Sequence, residues 1–270
     1  MGNVTLTVDC GGTGIKASVF DQHSKVLVDF PYLTTPYPMS PNSLVEIISN
    51  YVLADHRINR VTVGLPGMIR NGKIVFIPHY INKRGPRTMP DPHLKKLWHS
   101  FDLQNTLHKK LKMPILVLND AEVHAAAVIT GVGLETVLTF GTGLGCAIFN
   151  NGKLAPHIEL SHATVRYGKT IDAWIGEISR RRMGNQLWSR RVKALIGELY
   201  PMIIWDKLYI GGGNAQRISK SALKSFDYKV KIIPNSAGVS GGVKAWDLSC
   251  LLYTSPSPRD RTRSRMPSSA

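Results

Sequence analysis

One short unit occurs twice in this chain, and the duplication restricts the possible folds more than any other feature. Residues 4–21, "VTLTVDCGGTGIKASVFD", read as strand, glycine turn and strand, and residues 135–151, "ETVLTFGTGLGCAIFNN", repeat that order. In both copies β-branched and apolar residues flank turn formers, which is the pattern of paired strands. A duplicated unit of this kind predicts two similar lobes.

The rest of the sequence alternates strand and helix patterns. Buried-strand patterns such as "RVTVGLPGM", "PILVL" and "KLYIGGG" are followed by loop or helical segments, and a long helical region covers about residues 171–199. We therefore predict an α/β protein in which each lobe holds a mixed β-sheet flanked by helices.

Composition indicates the class of protein and the compartment. The chain has 270 residues, of which 43% are hydrophobic, and it can bury an ordinary globular core. Its cysteines, Cys10, Cys146 and Cys250, are far apart, so we expect neither a disulfide framework nor a thiolate metal site. The sequence also lacks an apolar run of roughly 20 residues and a signal pattern. We predict a cytoplasmic protein without a membrane partner.

The charge favours a polyanionic partner. The formal net charge is +16, and positive charge attracts phosphates and nucleic acid alike. The end of the chain, "LLYTSPSPRDRTRSRMPSSA" from Leu251, contributes +3 of this through four arginines and one aspartate, leaving +13 for the rest. That segment abandons hydrophobic periodicity and looks like translated adaptor sequence. We expect residues 251–270 to be a non-native tail and exclude them from the fold.

The glycine turns are the strongest candidates for ligand binding. Glycines let the backbone approach a ligand, and successive N–H groups in such turns form an anion-binding nest. Two ordinary tight turns are the alternative, but the duplication and a third glycine cluster favour phosphate, and neither turn fits a P-loop or a dinucleotide fingerprint. The candidate phosphate-binding or nucleotide-binding residues are Gly11, Gly12, Thr13, Gly14, Gly141, Thr142, Gly143, Gly211, Gly212 and Gly213.

Two aspartates end predicted strands beside these turns. Asp9 precedes the first glycine turn, where its carboxylate suits Mg²⁺ bound through water; an Asp that only assists the turn is the alternative. Asp120 follows the apolar run 114–118 and begins an alanine-rich helical pattern. It is either a helix cap or a base that accepts the proton of an attacking hydroxyl.

A third polar group follows the second repeat. Glu159, His162 and Asp172 have apolar neighbours and suit the vicinal hydroxyls of a sugar, whereas their spacing is weak for a metal site. His157 and His124 are interpreted as structural or surface residues.

A basic run occupies residues 179–193, "SRRRMGNQLWSRRVK". Such a run is usually a solvated helix face, but it also suits a polyphosphate chain, and Trp188 among the arginines leaves nucleic acid as a third option. No fold motif for nucleic acid is visible, so we expect no nucleic-acid partner.

These motifs together resemble the ROK family of sugar kinases (repressors, open reading frames and kinases), in particular its polyphosphate glucokinase-like branch. The resemblance rests on "DCGGTGIK", "GLPG", "LNDAEVHAAA", "TFGTGLGCAIFNNGKLAPHIELSH" and "LYIGGGNA" and covers nearly all of residues 3–248. It implies an actin-like ATPase fold (ribonuclease H-like, hexokinase-type) with two lobes. We predict a small N-terminal lobe at residues 1–117, completed by a helix at 237–248, and a large lobe at 118–236.

The resemblance also implies roles for individual residues. Asp120 would be the catalytic base, and glucose would be held by Asn119, Glu159, His162, Asp172 and Gly67. Asp172 stands where family members usually carry Glu. On the donor side, the resemblance implies that the phosphates and Mg²⁺ are served by Asp9, Thr13, Lys16 and Thr142.

The implied activity is transfer of a terminal phosphoryl group from inorganic polyphosphate, ATP or both to the 6-hydroxyl of glucose, in glycolysis. Mg²⁺ is expected, and no zinc, because the family's closely spaced cysteines are missing between residues 161 and 174. A strictly ATP-dependent hexose kinase and a non-catalytic sugar-binding relative are the alternatives. Glucose against mannose stays open, as does a homodimer, which is common in the family.

Overall fold

The computed structural model describes residues 2–249 except 87, 167, 225, 227, 228, 235 and 236. The predicted non-native tail at 251–270 and Cys250 lie outside the described residues. The helices are α1 Pro41–Leu53, α2 Pro92–Trp98, α3 Leu103–Leu111, α4 Asp120–Ala126, α5 Ile171–Ile175, α6 Glu177–Ile203, α7 Lys220–Leu223 and α8 Ala237–Ser249.

The first repeat builds the first sheet. Its strand order is β3-β2-β1-β5-β8, with β4 paired to β2; β1, β5 and β8 are parallel, and the others are antiparallel to their neighbours. The strands are β1 Thr5–Cys10, β2 Gly14–Phe20, β3 Val26–Asp29, β4 Leu33–Thr34, β5 Arg60–Leu65 and β8 Ile115–Asn119, and a separate hairpin is formed by β6 Met68–Arg70 and β7 Lys73–Phe76.

The second repeat builds a second sheet of the same design. Its order is β11-β10-β9-β12-β13, with an antiparallel hairpin β9–β10 followed by the parallel strands β12 and β13. The strands are β9 Leu134–Phe140, β10 Leu144–Asn150, β11 Lys153–Leu154, β12 Lys207–Gly211 and β13 Lys229–Ile232. In each sheet the glycine turn therefore connects the first two strands in the chain, the antiparallel pair β1–β2 or β9–β10.

Each sheet has its own hydrophobic core. The first core packs α1, α2 and α3 against the first sheet, with Leu6, Ile48, Val63 and Trp98 almost completely buried. The second packs α5 and α6 against the second sheet around Trp188. Separate cores are what the duplicated sequence unit requires, because each copy must cover its own sheet.

Two helices lie where the sheets meet. α4 starts directly after β8, and α8 packs against both α4 and the first sheet. Thr62 on β5 donates a 2.7 Å hydrogen bond to the Gly242 carbonyl of α8 and accepts one of 2.9 Å from the Trp246 indole. The predicted lobe boundary at residue 118 falls inside β8, so Leu118 and Asn119 lie in the first sheet.

The long helix α6 is kinked. Gly184 has φ 77° and ψ 164°, which interrupts the helical backbone between the two halves of the basic run. Trp188 is completely buried and donates a 2.6 Å hydrogen bond to the Ile175 carbonyl, so its indole forms part of the second core. In the part of the chain that the structure describes, no helix combines the length and apolar character needed to cross a membrane.

Candidate active site

The carboxyl ends of β1, β5 and β8 meet at one edge of the first sheet, where open α/β sheets place their ligands. β1 ends with Asp9 and Cys10, and β8 ends at Asn119, directly before Asp120. The pKa of Asp120 reflects the charge of Asp9. The two predicted catalytic-site aspartates therefore lie close enough to interact.

Asn119 fixes the start of α4. Its side-chain oxygen accepts a 2.8 Å hydrogen bond from the Ala121 N–H, and Glu122 Oε2 accepts one of 2.9 Å from the Asn119 N–H. These bonds form a capping box, which satisfies free N–H groups of the first turn. The helix cap is thus Asn119, and Asp120 is the first helical residue.

Asn119 also holds the loop "GLPG" at residues 64–67, which includes the predicted glucose ligand Gly67. Its amide donates to the carbonyls of Gly67 at 2.8 Å and Leu65 at 3.4 Å. Gly67 has φ 124°, and a Cβ there would collide with the Phe76 carbonyl, so only glycine fits the turn. The two predicted glucose ligands Asn119 and Gly67 are therefore hydrogen-bonded to each other. Their contact with a sugar stays a prediction.

The Asp120 carboxyl has the properties of a base. Its pKa is raised from 3.8 to about 7, first by burial and then by the charge of Asp9, against the opposing hydrogen bond from the Ala121 N–H. A carboxylate with a pKa near neutral pH accepts a proton more readily than an ordinary aspartate does.

The first glycine turn is fixed by a tight bond and by buttresses. The Gly11 N–H donates to the Gly14 carbonyl at 2.8 Å. Thr35 donates to the Gly11 carbonyl at 2.9 Å and Tyr37 to the Gly12 carbonyl at 2.7 Å. With the Gly11 and Gly12 carbonyls bonded on the protein side and the Gly11 N–H bonded to Gly14, the turn can offer its remaining N–H groups to a ligand.

Lys16 lies on β2 opposite Asp9 in the ladder. Burial raises the pKa of Asp9, and the charge of Lys16 lowers it in part. The cation therefore acts on the carboxylate beside the first glycine turn; its contact with phosphate stays a prediction.

The second turn repeats this geometry with a different support. The Gly141 N–H donates to the Gly143 carbonyl at 3.0 Å. Asp172, on α5, accepts a 2.8 Å hydrogen bond from the Leu144 N–H, and it packs against Gly143 so closely that a Cβ there would collide. Burial raises the pKa of Asp172. The structure gives Asp172 a role at the turn, while its predicted sugar contact remains untested.

The two turns face each other across one cleft. A pocket of about 580 Å³ is lined by Gly12 and Thr13 from the first turn and by Thr142 from the second. The remaining lining residues are His79, Pro86, Glu177, Ile178, Arg181 and Arg182. A guest in this pocket would touch both copies of the duplicated unit.

One side of this cleft, here called the basic wall, is formed by arginines at the start of α6, and Glu177 binds two of these arginines. Its carboxylate accepts hydrogen bonds from Arg180 at 2.7 Å and Arg181 at 2.6 Å, and these bonds hold the pKa of Glu177 well below its usual range. None of the ion pairs found among the described residues involves Arg182. Arg182 is exposed and lines the cleft, so its charge is available to a polyanion there.

The third glycine cluster lies behind the second turn. Asn214, which follows Gly211–Gly213, donates from its amide to the Gly141 carbonyl at 3.1 Å and to Glu177 Oε2 at 2.8 Å. These two bonds tie the end of β12 to the second glycine turn and to the basic wall.

The polar group after β11 is also assembled. Glu159 accepts a 2.6 Å hydrogen bond from Ser161, and His162 packs edge-on against Phe76 with ring centroids 5.5 Å apart. His157 lies between Glu159 and Glu122, and its side chain is only 3% exposed. Because Glu122 belongs to α4, this group is connected to the segment that carries Asp120.

The site suits Mg²⁺ better than an enclosed metal. Asp9 and Asp120 offer oxygen atoms, and the charge of Asp9 raises the pKa of Asp120, an effect that a divalent cation would relieve. In the described residues no group of three or more His, Cys, Asp or Glu side chains could hold a metal ion. Mg²⁺ at Asp9 would thus be held mostly by water and by a ligand's phosphates.

Several of these residues were not singled out from the sequence. Glu122 carries a readable signal, because Asn at the cap with Glu three residues later is a capping box. Glu177 carries a partial signal, because Arg180 and Arg181 follow it at the spacing of helical ion pairs. Its bond to Asn214, 37 residues away in the chain, carries none.

Two lobes that repeat one sheet order, with a cleft between their glycine turns, define the actin-like ATPase fold. Solved structures of sugar kinases have the same fold. The inorganic polyphosphate/ATP-glucomannokinase of Arthrobacter sp. strain KM superposes with a TM-score of 0.72 at 24% identity, covering 92% of this chain and 99% of that one. The ROK family glucokinase of Streptomyces griseus, in complex with glucose and AMPPNP, gives 0.70 at 18% identity, covering 90% and 99%.

Sequence comparison narrows the class further. The ROK family model matches residues 5–157. The polyphosphate glucokinase of Mycobacterium tuberculosis (strain ATCC 25618 / H37Rv) is 27% identical over 252 residues, which cover 88% of this chain and 89% of that protein. The chain belongs to the ROK family. The family and the fold predicted from the sequence are therefore confirmed.

Proposed function

We propose that this protein is a sugar kinase that transfers a terminal phosphoryl group to the 6-hydroxyl of glucose, giving glucose 6-phosphate. The observation that carries the proposal is the Asp120 carboxyl, whose pKa of about 7 suits a base at the edge of the sheet that also carries the first glycine turn. The similarity to polyphosphate glucokinases supports glucose as the acceptor.

The chemistry follows from the positions of these groups. The Asp120 carboxylate accepts the proton of the 6-hydroxyl while that oxygen attacks the terminal phosphorus and the bond from phosphorus to the leaving phosphate breaks. The glycine turns at 11–14 and 141–143 bind the donor phosphates through their N–H groups. Mg²⁺, when bound, would neutralise charge on the transferring phosphates. Glu159 and His162 orient the sugar, together with Asn119.

Inorganic polyphosphate is the proposed donor. The cleft has a basic wall in which Glu177 occupies Arg180 and Arg181 but leaves Arg182 available. The net charge outside the tail, +13, acts in the same direction on a long polyanion. The polyphosphate glucokinases among the relatives agree with this choice.

ATP is the second candidate donor. The observation that favours it is the bonding of Asn214 to both Gly141 and Glu177, which brings the Gly211–Gly213 turn next to the donor cleft. A glycine turn at that place is suited to a close approach by a nucleoside.

The proposal places the protein in the cytoplasm and in glycolysis, where glucose enters metabolism as its 6-phosphate. A homodimer remains a prediction from the family resemblance.

The test is formation of glucose 6-phosphate by the full chain with glucose, Mg²⁺ and either polyphosphate or ATP, with a reaction lacking donor as the control. Product formation with polyphosphate, together with a far lower rate of product formation with ATP, supports the full proposal. Product with ATP alone supports the kinase and rejects polyphosphate as donor. No product with either donor, while glucose binds, would reject the kinase.

A further inference from the structure

We propose that His157 is a positioning residue for the sugar, which holds Glu159 in place and connects it to the helix that carries Asp120. This inference rests on the proposed function, since Glu159 is the predicted ligand of a glucose hydroxyl. Among the described residues, His157 forms its ion pairs with Glu122 and Glu159, so its contacts act through these two carboxylates, while its charge also lowers the pKa of Asp120.

The imidazole lies between two carboxylates that come from different parts of the fold. His157 Nδ1 is 3.0 Å from Glu122 Oε1, and Nε2 is 3.7 Å from Glu159 Oε2. The side chains of His157 and Glu122 are 3% and 5% exposed, and that of Glu159 is 19% exposed. Glu159 is therefore the member of the three that can still reach a ligand.

The charges show why an imidazole is needed at this place. Two buried carboxylates side by side repel each other unless a cation separates them. Burial alone would lower the pKa of His157, but its hydrogen bond to Glu122 and the nearby charge of Glu159 outweigh burial and raise that pKa to about 9. His157 is therefore protonated near neutral pH, when both ring nitrogens donate.

The histidines beside Glu159 lower its pKa against the effect of burial. His162 lowers its pKa, while Glu159 itself raises the pKa of Asp120, Asp172 and Cys146. Despite burial, the charge of His157 and the hydrogen bond from Ser161 keep the pKa of Glu159 below its usual value. Glu159 thus stays an acceptor for a sugar hydroxyl.

The second neighbour links His157 to the catalytic segment. Glu122 Oε1 faces the imidazole, and its other oxygen, Oε2, accepts the Asn119 N–H at 2.9 Å. The chain of contacts therefore runs from Glu159 through His157 and Glu122 to the cap of α4, directly before Asp120. Sugar ligand and base are held by one buried group of side chains.

One nitrogen of the ring has a bond to gain. Nε2 of His157 is buried and has no hydrogen-bond partner among the described residues. A shift of less than an ångström by the Glu159 carboxylate would bring it within bonding distance. Binding of a sugar hydroxyl to Glu159 is the event that would draw the two together.

Two substitutions separate the two nitrogens. His157→Asn keeps a donor near the position of Nδ1 and loses the group that faces Glu159, whereas His157→Gln keeps a donor near Nε2 and loses the bond to Glu122. We expect His157→Asn to raise the KM for glucose about tenfold, the effect of losing one charge-assisted contact. At pH 8.5, where Asp120 stays ionised even when the His157 charge no longer lowers its pKa, kcat and the donor KM should be within twofold of wild type. We expect His157→Gln to lower kcat as well, because the cap of α4 is then disturbed.

A double-mutant cycle distinguishes positioning from simple structural support. If His157 acts through Glu159, adding His157→Asn to Glu159→Gln changes the glucose KM by less than twofold, because the carboxylate that His157 positions is already absent. If His157 had only a structural role, His157→Asn would raise the glucose KM by the same factor in wild type and in Glu159→Gln. His93→Gln, an exposed histidine on α2, is the matched control and should leave all constants unchanged.

The outcomes are distinct from those of the function test. Wild-type protein that forms no glucose 6-phosphate and binds no glucose refutes the proposed function and this inference with it. An active wild type with a glucose KM in His157→Asn within twofold of normal overturns the inference alone. Should His157→Asn not fold, His157→Gln tests the other contact, the one to Glu122, and an unchanged kcat in that variant overturns the inference.

Discussion

The perturbed carboxyl of Asp120 makes a prediction about stability that runs against the usual effect of changing a buried residue. Its pKa is raised from 3.8 to about 7, chiefly by burial. Such a change corresponds to about 4 kcal/mol of free energy spent on holding the ionised form in the folded protein. Because the side chain is partly open to solvent, the expected cost is about 2–4 kcal/mol.

The sign of the pH dependence follows from the direction of the shift. Between about pH 4 and pH 7 the folded protein keeps a proton on Asp120 that the unfolded chain has lost, so the free energy of unfolding falls as pH rises through this range. Asp120→Asn removes the ionisable group. The variant should therefore be more stable than wild type by about 2–4 kcal/mol at pH 8, and the gain should shrink towards pH 4.

Urea denaturation of both proteins from pH 4.5 to pH 8, without Mg²⁺ or phosphate, measures this difference. A stabilisation of about 3 kcal/mol corresponds to roughly 6–12 °C in a parallel thermal scan. Asp247→Asn, which changes an exposed aspartate on α8, is the control and should show no such gain. Equal stability of wild type and Asp120→Asn at pH 8 would refute the view that Asp120 is held in an unfavourable ionised state.

Two further predictions concern turnover. The kcat/KM for glucose should fall about tenfold for each pH unit below about 7, because only the ionised Asp120 accepts the proton, and a flat profile from pH 5 to pH 8 would contradict the assignment. Arg182→Ala should raise the KM for polyphosphate about tenfold and weaken its salt dependence while leaving the glucose KM within twofold, since it removes a charge from the donor cleft. Arg190→Ala, exposed beyond the kink of α6, is the control, and an equal effect of both changes would assign the preference to net charge alone.

The parts of the fold that local sequence determines were predictable. The two glycine turns, the strands on either side of them and the helix after β8 depend on turn formers, alternation and a cap within a few residues of each other. The duplication extended this local information to the whole architecture. The structure accordingly repeats one sheet order in both halves.

Contacts between distant segments were beyond the reach of these patterns. His157 was interpreted as structural or surface, and it is buried; its partner Glu122, 35 residues away on the helix that begins at Asp120, could not be read from the sequence. Trp188 was left open as a stacking surface for nucleic acid, but the packing of α6 on the second sheet buries it completely. Trp188 shares one face of the helix with the buried Val192, Leu195, Ile196 and Leu199, a spacing that indicates a core position and not a stacking surface.

The basic run illustrates the same limit in electrostatic terms. From the sequence it could be a solvated helix face or a surface for a polyphosphate chain, and in the structure Glu177 accepts bonds from both Arg180 and Arg181. The Gly184 kink then turns the second half of the run away from the helical path of the first. Only a part of the sequence charge therefore faces the cleft, and this part includes Arg182.

The central claim is that Asp120 is the base of a sugar kinase, and Asp120→Asn tests it most directly. The measurement is kcat for glucose 6-phosphate formation, together with glucose affinity by calorimetry on the same protein. The account predicts a loss of kcat of about a hundredfold or more, the order of a missing general base, with glucose affinity within a few fold of wild type. Retention of wild-type kcat in the variant would contradict it.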